Sequence, residues 1–290
     1  MGDVRTVKEL VSLYYMEPSL CEIFTEGSSD KVLIEKFLKK NGISPSKVKV
    51  TEIDEIDFSD EEDDSIRRNN KKKLIHLSKA LEIDIDTDLL GVSLIIDHDF
   101  DHITGNVIRN KYLNYYDYNS LELYCWSPDV LDDYFSMVLR GFRFNGAQTL
   151  ESIKEPLIKL FLLRACFEIM GTIPEGGLVD FNKSLNFRKD GSIIFDHQSY
   201  LVKNLNKANE MKNKASYHKI LEDLKPKLHH DEKMNIRGHD FIDMLVSYIN
   251  NFKKSHRSTT EILENTIFQS IDLDSLGNTP LFKSLVNKYQ

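Results

Sequence analysis

Short apolar segments alternate with helical segments over the first hundred residues of the chain. The strand-like segments are CEIFTEG (21–27), KVKVTEI (47–53) and GVSLIID (91–97), and the helical segments between them are SSDKVLIEKFLKKNG (28–42) and KKLIHLSKALEI (72–83). Ser29 or Asp30 is a candidate N-cap of the first helix, and Gly42 is placed to end it. This β-α-β-α-β series predicts a mostly parallel sheet with right-handed crossovers and flanking helices.

The second half of the chain has a different pattern, dominated by long helical periodicity. The longest such segments are LESIKEPLIKLFLLRACFEIM (150–170), GHDFIDMLVSYINNF (238–252) and TEILENTIFQSI (260–271). We therefore predict an α/β domain over residues 1–127 and a mainly α-helical region over 128–290, which would serve substrate or partner binding and dimerisation. The block 54–73, acidic and then basic, is predicted to be a surface excursion.

The composition predicts a chain that folds without covalent cross-links. Hydrophobic residues make up 41% of it and the three cysteines have no short spacing, which indicates neither a disulfide framework nor a zinc knuckle. No apolar stretch approaches the roughly 20 residues that cross a bilayer, and the N-terminus lacks a signal-peptide segment. These features predict a cytoplasmic protein that does not associate with membranes.

The net charge of −8 conceals an uneven distribution. Residues 181–260 carry 15 Lys and Arg against 9 Asp and Glu, whereas the rest of the chain is acidic. A basic region of this kind can form a local phosphate-binding face, or it can be an ordinary solvated helical surface.

Three acids follow an apolar run at every second position in SLIIDHDFD (93–101). In an extended chain Asp97 and Asp99 would project to the same side, where like charges repel unless a cation, a proton or water relieves them. Glu26 ends the earlier strand, and the carboxyl ends of parallel strands meet at one edge of a sheet. Because oxygen ligands favour Mg²⁺ or Mn²⁺, these acids predict a metal site at that edge.

The order E-G-x-x-D followed by D-x-D resembles the TOPRIM fold of topoisomerases, primases and related nucleases. Here the two motifs begin at Glu26 and Asp97, and the resemblance covers about residues 20–125. The segments YNSLELYCW (118–126) and IRGHDFIDML (236–245) are similar to further motifs of standalone bacterial TOPRIM nucleases, the family that includes effectors of PARIS anti-phage defence.

The resemblance implies a Mg²⁺-dependent endonuclease that is a toxic effector and cleaves RNA, with tRNA as the expected substrate. It implies restraint by a partner ABC-type ATPase, AriA, until a phage is sensed, and action as a homodimer. Glu26 would be the general acid or base and would also belong to the metal site, with Asp97 and Asp99 as catalytic metal ligands. Asp101 and Glu122 would supply a second metal position or orient the ligands. Asp30 is predicted to cap its helix, and His98 to be a surface or packed histidine.

Four further residues are candidates for contact with nucleic acid. Arg237 and His239 precede a helix and suit a phosphate, although a helix cap with a packed histidine is the alternative. Lys212 and Lys214 lie in a segment rich in Lys and Asn that suits a nucleic-acid backbone and suits an exposed helix equally well.

Two other functions are compatible with the sequence. A phosphatase of the haloacid dehalogenase kind would use Asp97 as nucleophile, but it would leave Glu26 without a role and usually has Thr or Val where Asp101 stands. A catalytically silent TOPRIM binding module is the non-enzymatic alternative.

Overall fold

A computed structural model describes residues 5–85, 91–255 and 257–290 of the chain. It contains two compact units. The first comprises Met1–His98, Ile108–Asp117 and Asp272–Gln290, and the second comprises Asp99–Val107 and Tyr118–Ile271. Each unit draws segments from both sides of residue 127, where the sequence predicts the boundary between the α/β domain and the mainly helical region. That boundary remains a prediction.

The regular elements in the described ranges follow the chain in alternating order at first and become mainly helical later. The strands are β1 (Arg5–Thr6), β2 (Glu22–Thr25), β3 (Lys49–Glu52), β4 (Ile56–Asp57), β5 (Val92–Ile96), β6 (Leu113–Tyr115), β7 (Leu185–Phe187) and β8 (Ile193–Phe195). The α-helices are α1 (Val7–Met16), α2 (Ser28–Lys40), α3 (Asp64–Arg67), α4 (Asn70–Asp84), α5 (Asp101–Thr104), α6 (Pro128–Tyr134), α7 (Gly146–Met170), α8 (His197–Lys207), α9 (Lys214–Leu224), α10 (Gly238–Phe252), α11 (Thr260–Ile267), α12 (Leu273–Leu276) and α13 (Pro280–Tyr289).

The first unit is built on a four-stranded parallel sheet with the order β3-β2-β5-β6. The register pairs Glu22 with both Lys49 and Val92, so β2 and β5 run side by side toward the same edge. All five residues of β5 are buried, as a strand covered on both faces requires. The α/β class, the mostly parallel sheet with flanking helices and the C-terminal helical region are confirmed.

Helix α2 shows how local sequence sets an element in this unit. Its buried residues Leu33, Ile34, Phe37 and Leu38 recur at helical spacing and form one apolar face. Gly42 follows the helix with φ +76°, a conformation that glycine adopts without a Cβ clash, so the predicted stop is confirmed.

The start of α2 and the acidic block differ from the predictions. Gly27, in extended conformation, is the N-cap of α2, so the expectation that Ser29 or Asp30 would be the cap is wrong. The block 54–73 is not only a surface excursion, because it contributes β4 and α3 and buries Ile56 and Phe58 in the core of the first unit.

The C-terminal segment belongs to the first unit rather than to the helical one. In α13 the ring of Phe282 lies 4.9 Å from that of Phe37, and the Tyr289 hydroxyl donates to the Gly91 carbonyl at 3.0 Å. The Lys288 ammonium donates to the Val92 carbonyl at 2.6 Å. These contacts fix α13 at the start of β5.

The second unit is mainly helical and packs around α7. Phe161, Leu162 and Ala165 of α7 form a buried cluster with Ile103 and Leu224. The antiparallel pair β7–β8 is its sheet. Over the residues that the structure describes, no helix has both the length and the apolar composition needed to cross a membrane.

Candidate active site

The ends of β2 and β5 bring two of the predicted acids together in the first unit. Glu26 directly follows β2 and Asp97 directly follows β5, and the Asp97 amide donates to Glu26 Oε1 at 2.8 Å. Both side chains are partly exposed. The parallel pairing of the two strands causes this meeting, as the sequence predicted.

The first turn of α4 supports the same end of β2. The Asn70 side-chain amide donates to the Glu26 carbonyl at 2.7 Å and to Asp54 Oδ2 at 3.0 Å. Lys73 forms an ion pair with Asp54. Partial burial raises the pKa of Asp54, but hydrogen bonds from Lys73 and Asn70 outweigh burial and hold it below the usual value. Asn70 therefore holds the Glu26 carbonyl and is itself held by Asp54.

His98 is packed, in agreement with the prediction. Its Nε2 lies 2.9 Å from the Tyr116 carbonyl oxygen, and its ring stacks on Tyr115 with centroids 4.5 Å apart. The Lys71 ammonium donates to the His98 carbonyl at 3.1 Å. Asp30 lies in the first turn of α2, and its carboxylate accepts a hydrogen bond from the Tyr116 hydroxyl.

Asp99 does not continue the strand that precedes it. β5 ends at Ile96, and Asp99 has a φ of +48° in the left-handed region. The alternation argument that placed Asp97 and Asp99 on one side of an extended chain is therefore wrong. Asp101 begins the short helix α5 instead of extending the strand.

Within the second unit, Asp99 lies beside Arg237 and Asn119. The Asn119 side-chain amide donates to the Asp99 carbonyl at 2.6 Å, and Arg237 Nη2 is 3.6 Å from Asp99 Oδ1. The Arg237 guanidinium also lies over the ring of Phe100, 5.5 Å from its centroid. Arg237 is the N-cap residue of α10, so the predicted helix start is close to that observed.

Glu122 is buried against the first turn of α10. A Cβ on Gly238 would lie 2.0 Å from Glu122 Oε2, so only glycine permits this approach. His239 Nδ1 is 3.4 Å from Glu122 Oε1, and the His239 side chain is 71% exposed. The alternative of a packed histidine at this position is therefore wrong.

A buried ion pair near this turn is a feature that the sequence did not reveal. Arg164 Nη2 lies 2.7 Å from Asp240 Oδ1, and the Asp240 side chain is only 5% exposed. Burial raises the pKa of Asp240, although Arg164 and Arg237 act in the opposite direction. The two partners lie 76 positions apart on different helices, and no periodic pattern marks such a pair.

The two candidate lysines lie on one segment of the second unit. Lys212 is in a 3-10 helix (Met211–Asn213) and Lys214 begins α9, whose inner side packs on α7 through Tyr217 and Phe167. Lys212 is exposed and Lys214 partly so.

The donor chemistry of Glu26 and Asp97 fits a hard divalent cation, because both supply carboxylate oxygens at a partly exposed edge. Among the described residues, no three His, Cys, Asp or Glu side chains are grouped so as to hold a metal ion. The ligand set predicted from the sequence, with Asp99, Asp101 and Glu122, remains a prediction.

Comparison with known proteins gives no assignment: no protein-family model matches the chain, and no curated protein matches it.

Proposed function

We propose that the protein is a metal-dependent endonuclease of the TOPRIM type that hydrolyses phosphodiester bonds in RNA. The observation that carries the proposal is the contact between Glu26 and the Asp97 amide, at the carboxyl ends of two adjacent parallel strands. Loops at this edge of a parallel sheet are where ligands bind in open α/β folds. Two oxygen-donor side chains at such an edge suit Mg²⁺ or Mn²⁺.

The chain's own residues would divide the work between holding the cation and moving a proton. Asp97 would hold the cation, and Asp99 stays a ligand that is predicted from the sequence resemblance alone. Glu26 would accept or donate the proton of the attacking water or of the leaving oxygen. Once bound, the cation would neutralise charge on the phosphodiester and help to activate water.

The contacts around Glu26 suit a role in proton transfer. Asn70 binds the Glu26 carbonyl and the Asp97 amide binds its carboxylate, so the side chain has few orientations open to it. A proton-transfer group held in one orientation does not need to be ordered during the reaction.

The defining experiment compares RNA cleavage by the wild-type protein, Glu26→Gln and Asp97→Asn with Mg²⁺ present and after chelation. Glu26→Gln keeps an oxygen that can accept from the Asp97 amide, so the fold is expected to remain. We expect Glu26→Gln to lose about 10²- to 10⁴-fold in rate, the range typical of general acid–base groups, and Asp97→Asn to lose the metal-dependent activity. The matched control is Glu35→Gln, an exposed glutamate of α2 in the same unit, which is expected to cleave at the wild-type rate.

Other outcomes identify the alternatives. Full activity in both variants would refute the proposed site. Release of phosphate from a small phosphomonoester, abolished by Asp97→Asn and unaffected by Glu26→Gln, would identify a haloacid-dehalogenase-like phosphatase. Binding of a partner with no turnover of either substrate class would identify a silent TOPRIM module.

The biological setting is proposed from the sequence resemblance to the AriB effector of the PARIS anti-phage defence system. On that basis the protein would be a cytoplasmic toxic effector that cleaves tRNA, acts as a homodimer, and is held inactive by the partner ATPase AriA. Expression of the chain alone and with AriA, followed by sequencing of the ends of broken cellular RNAs, tests both the substrate and the restraint.

A further inference from the structure

Six cations from three separate segments come together on the second unit. Residues 140–144, 187–190 and 252–254 supply Arg140, Arg143, Arg188, Lys189, Lys253 and Lys254, with Asp190 as the single acid of these segments. We call these six cations and the phenylalanines among them (Phe142, Phe144, Phe187 and Phe252) the basic–aromatic patch. Arg188, Lys189, Lys253 and Lys254 lie in the basic region 181–260, although no member of the patch was an individual candidate for contact with nucleic acid.

Direct contacts join the three segments. A guanidinium nitrogen of Arg143 donates to the Lys189 carbonyl, and the Lys253 ammonium donates to the Arg140 carbonyl. The Arg143 guanidinium also lies over two rings, 4.4 Å from the centroid of Phe144 and 4.7 Å from that of Phe252. The three segments that carry the cations are therefore held together by the fold.

The aromatic side chains form one partly exposed cluster beneath the cations. The centroids of Phe142 and Phe144 are 6.0 Å apart, those of Phe144 and Phe252 are 5.0 Å apart, and those of Phe187 and Phe252 are 5.9 Å apart. Each of these rings retains some solvent exposure. Surfaces that bind both the bases and the phosphates of a nucleic acid combine arginine with aromatic rings in the same way.

The backbone presents Arg140 in an unusual conformation. Arg140 has a φ of +45° and Gly141 a φ of +77°, directly after a π-helix (Phe135–Leu139). The hydrogen bond from Lys253 to the Arg140 carbonyl holds this turn. The Arg140, Arg188 and Lys254 side chains are exposed, so they can meet a ligand without rearrangement of the core.

The Asp190 carboxylate accepts hydrogen bonds within its own turn. Its carboxylate accepts from the Ser192 amide at 3.0 Å and from the Ser192 hydroxyl at 2.8 Å, and these bonds hold the pKa of Asp190 below the usual value. A single ionised acid leaves the three segments strongly positive.

We propose that the basic–aromatic patch binds the sugar-phosphate backbone of single-stranded RNA and is the main substrate-holding surface of this protein. The proposed role in holding substrate rests on the proposed nuclease function. The charge and the aromatic cluster of the patch are observed independently of the Glu26 and Asp97 site. A single-stranded nucleic acid uses both features, because its phosphates pair with the cations while its unstacked bases meet the rings, and the proposed nuclease function selects RNA.

The test measures equilibrium binding of a short single-stranded RNA to the full-length protein carrying Glu26→Gln, so that cleavage cannot intervene. The patch variant adds three substitutions to this background: Arg140→Gln, Arg188→Gln and Lys254→Gln. We expect the Kd to rise about 10- to 50-fold at physiological salt, and the slope of log K against log salt to fall by about 2, as expected for three lost phosphate contacts.

Two matched variants show whether position or charge alone matters. Lys219→Gln, Lys225→Gln and Lys227→Gln together remove the same charge from exposed positions of the same unit and are expected to leave the Kd within about 3-fold of the parent. Arg140→Lys with Arg188→Lys keeps the charge and is expected to keep the salt slope. Thermal unfolding of each variant confirms that it is folded.

Equal weakening by the two triple variants, or unchanged binding in the patch variant, would overturn the proposal. Binding of anionic phospholipid vesicles that is lost in the patch variant while RNA binding stays intact would also overturn it and assign the patch to a membrane surface. If the wild-type protein fails to cleave RNA and the patch still governs RNA binding, the nuclease proposal fails and the patch stands. If cleavage is found and the patch variant binds like its parent, only the patch fails.

Discussion

The acids at the strand ends of the first unit and the acids near the start of α10 in the second unit have opposite environments. Glu26 and Asp97 are partly exposed and are placed by the backbone of paired strands. Glu122 and Asp240 are buried, one against Gly238 and the other against Arg164. Carboxylates of the first kind can exchange protons or ligands while the fold persists. Carboxylates of the second kind are part of what holds the fold, because an unpaired buried charge is costly.

The largest expected difference follows from breaking the buried pair of the second unit. Arg164→Ala leaves the Asp240 carboxylate buried without its partner, and we expect a loss of about 3–5 kcal/mol in the free energy of unfolding at pH 8. Chemical denaturation measures it. An effect below about 1 kcal/mol, the size found for exposed pairs, would show that this pair resembles a surface interaction.

The same variant has a definite pH dependence. Burial already raises the pKa of Asp240, and removing Arg164 removes a group that lowers it. A raised pKa in the folded state stabilises the protein at low pH and loses that contribution as pH rises through the folded pKa. The cost of Arg164→Ala should therefore be smaller at pH 5 than at pH 8, and a larger cost at pH 5 would contradict the assignment of a buried, charged Asp240.

Gly238 tests the packing of Glu122. A Cβ there would lie 2.0 Å from Glu122 Oε2 and 2.2 Å from Ser120 Oγ, so Gly238→Ala should cost about 1–3 kcal/mol in unfolding free energy. Adding Glu122→Ala should recover part of the loss, as a double-mutant cycle would show. The matched control is Gly277→Ala, whose nearest contacts are at 3.4–3.5 Å, and it should change stability by less than about 0.5 kcal/mol.

A smaller effect is expected for the ion pair beside the strand ends. Asp54 pairs with Lys73 but its side chain is 61% exposed, so Asp54→Asn should cost only about 0.2–1 kcal/mol at pH 7. The pKa of Asp54 is lowered in the folded state, so its contribution is present above the unfolded pKa and is lost as pH falls through the folded one. Urea denaturation at pH 7 and pH 3 should therefore show the difference between variant and wild type disappearing in acid.

The smallest effect on stability is expected at the site itself. Glu26→Gln keeps an acceptor for the Asp97 amide and should change the unfolding free energy by less than about 0.5 kcal/mol, the usual range for substitutions away from the core. Thermal unfolding beside the cleavage assay separates the two roles. A loss of several kcal/mol would place Glu26 with the structural acids of the second unit.

The sequence was informative where local pattern and strand topology decide the structure. The β2-α2-β3-α4-β5 series and the meeting of Glu26 with Asp97 follow from periodicity and from parallel pairing, and α10 begins and ends where its pattern does. The alternation argument for Asp99 failed because its backbone is left-handed and not extended, whereas its role as a ligand remains a prediction.

Contacts between distant segments could not be predicted from the sequence. Arg164 and Asp240, Glu122 and Gly238, and the three segments of the basic–aromatic patch meet only through tertiary packing. The same holds for α13, which packs in the first unit although the sequence grouped it with the helical region.

The measurement that most directly tests the central claim is a calorimetric titration of Mg²⁺ and Mn²⁺ into the wild-type protein, Glu26→Gln, Asp97→Asn and the Glu35→Gln control, with RNA present and absent. We expect saturable binding by the wild type and the control, its loss in Asp97→Asn, and weaker binding in Glu26→Gln because a neighbouring carboxylate charge is removed, while the thermal unfolding of both variants is unchanged. Absence of divalent-ion uptake by the wild type even with RNA present, or unchanged uptake by both site variants, would contradict a metal site at the ends of β2 and β5.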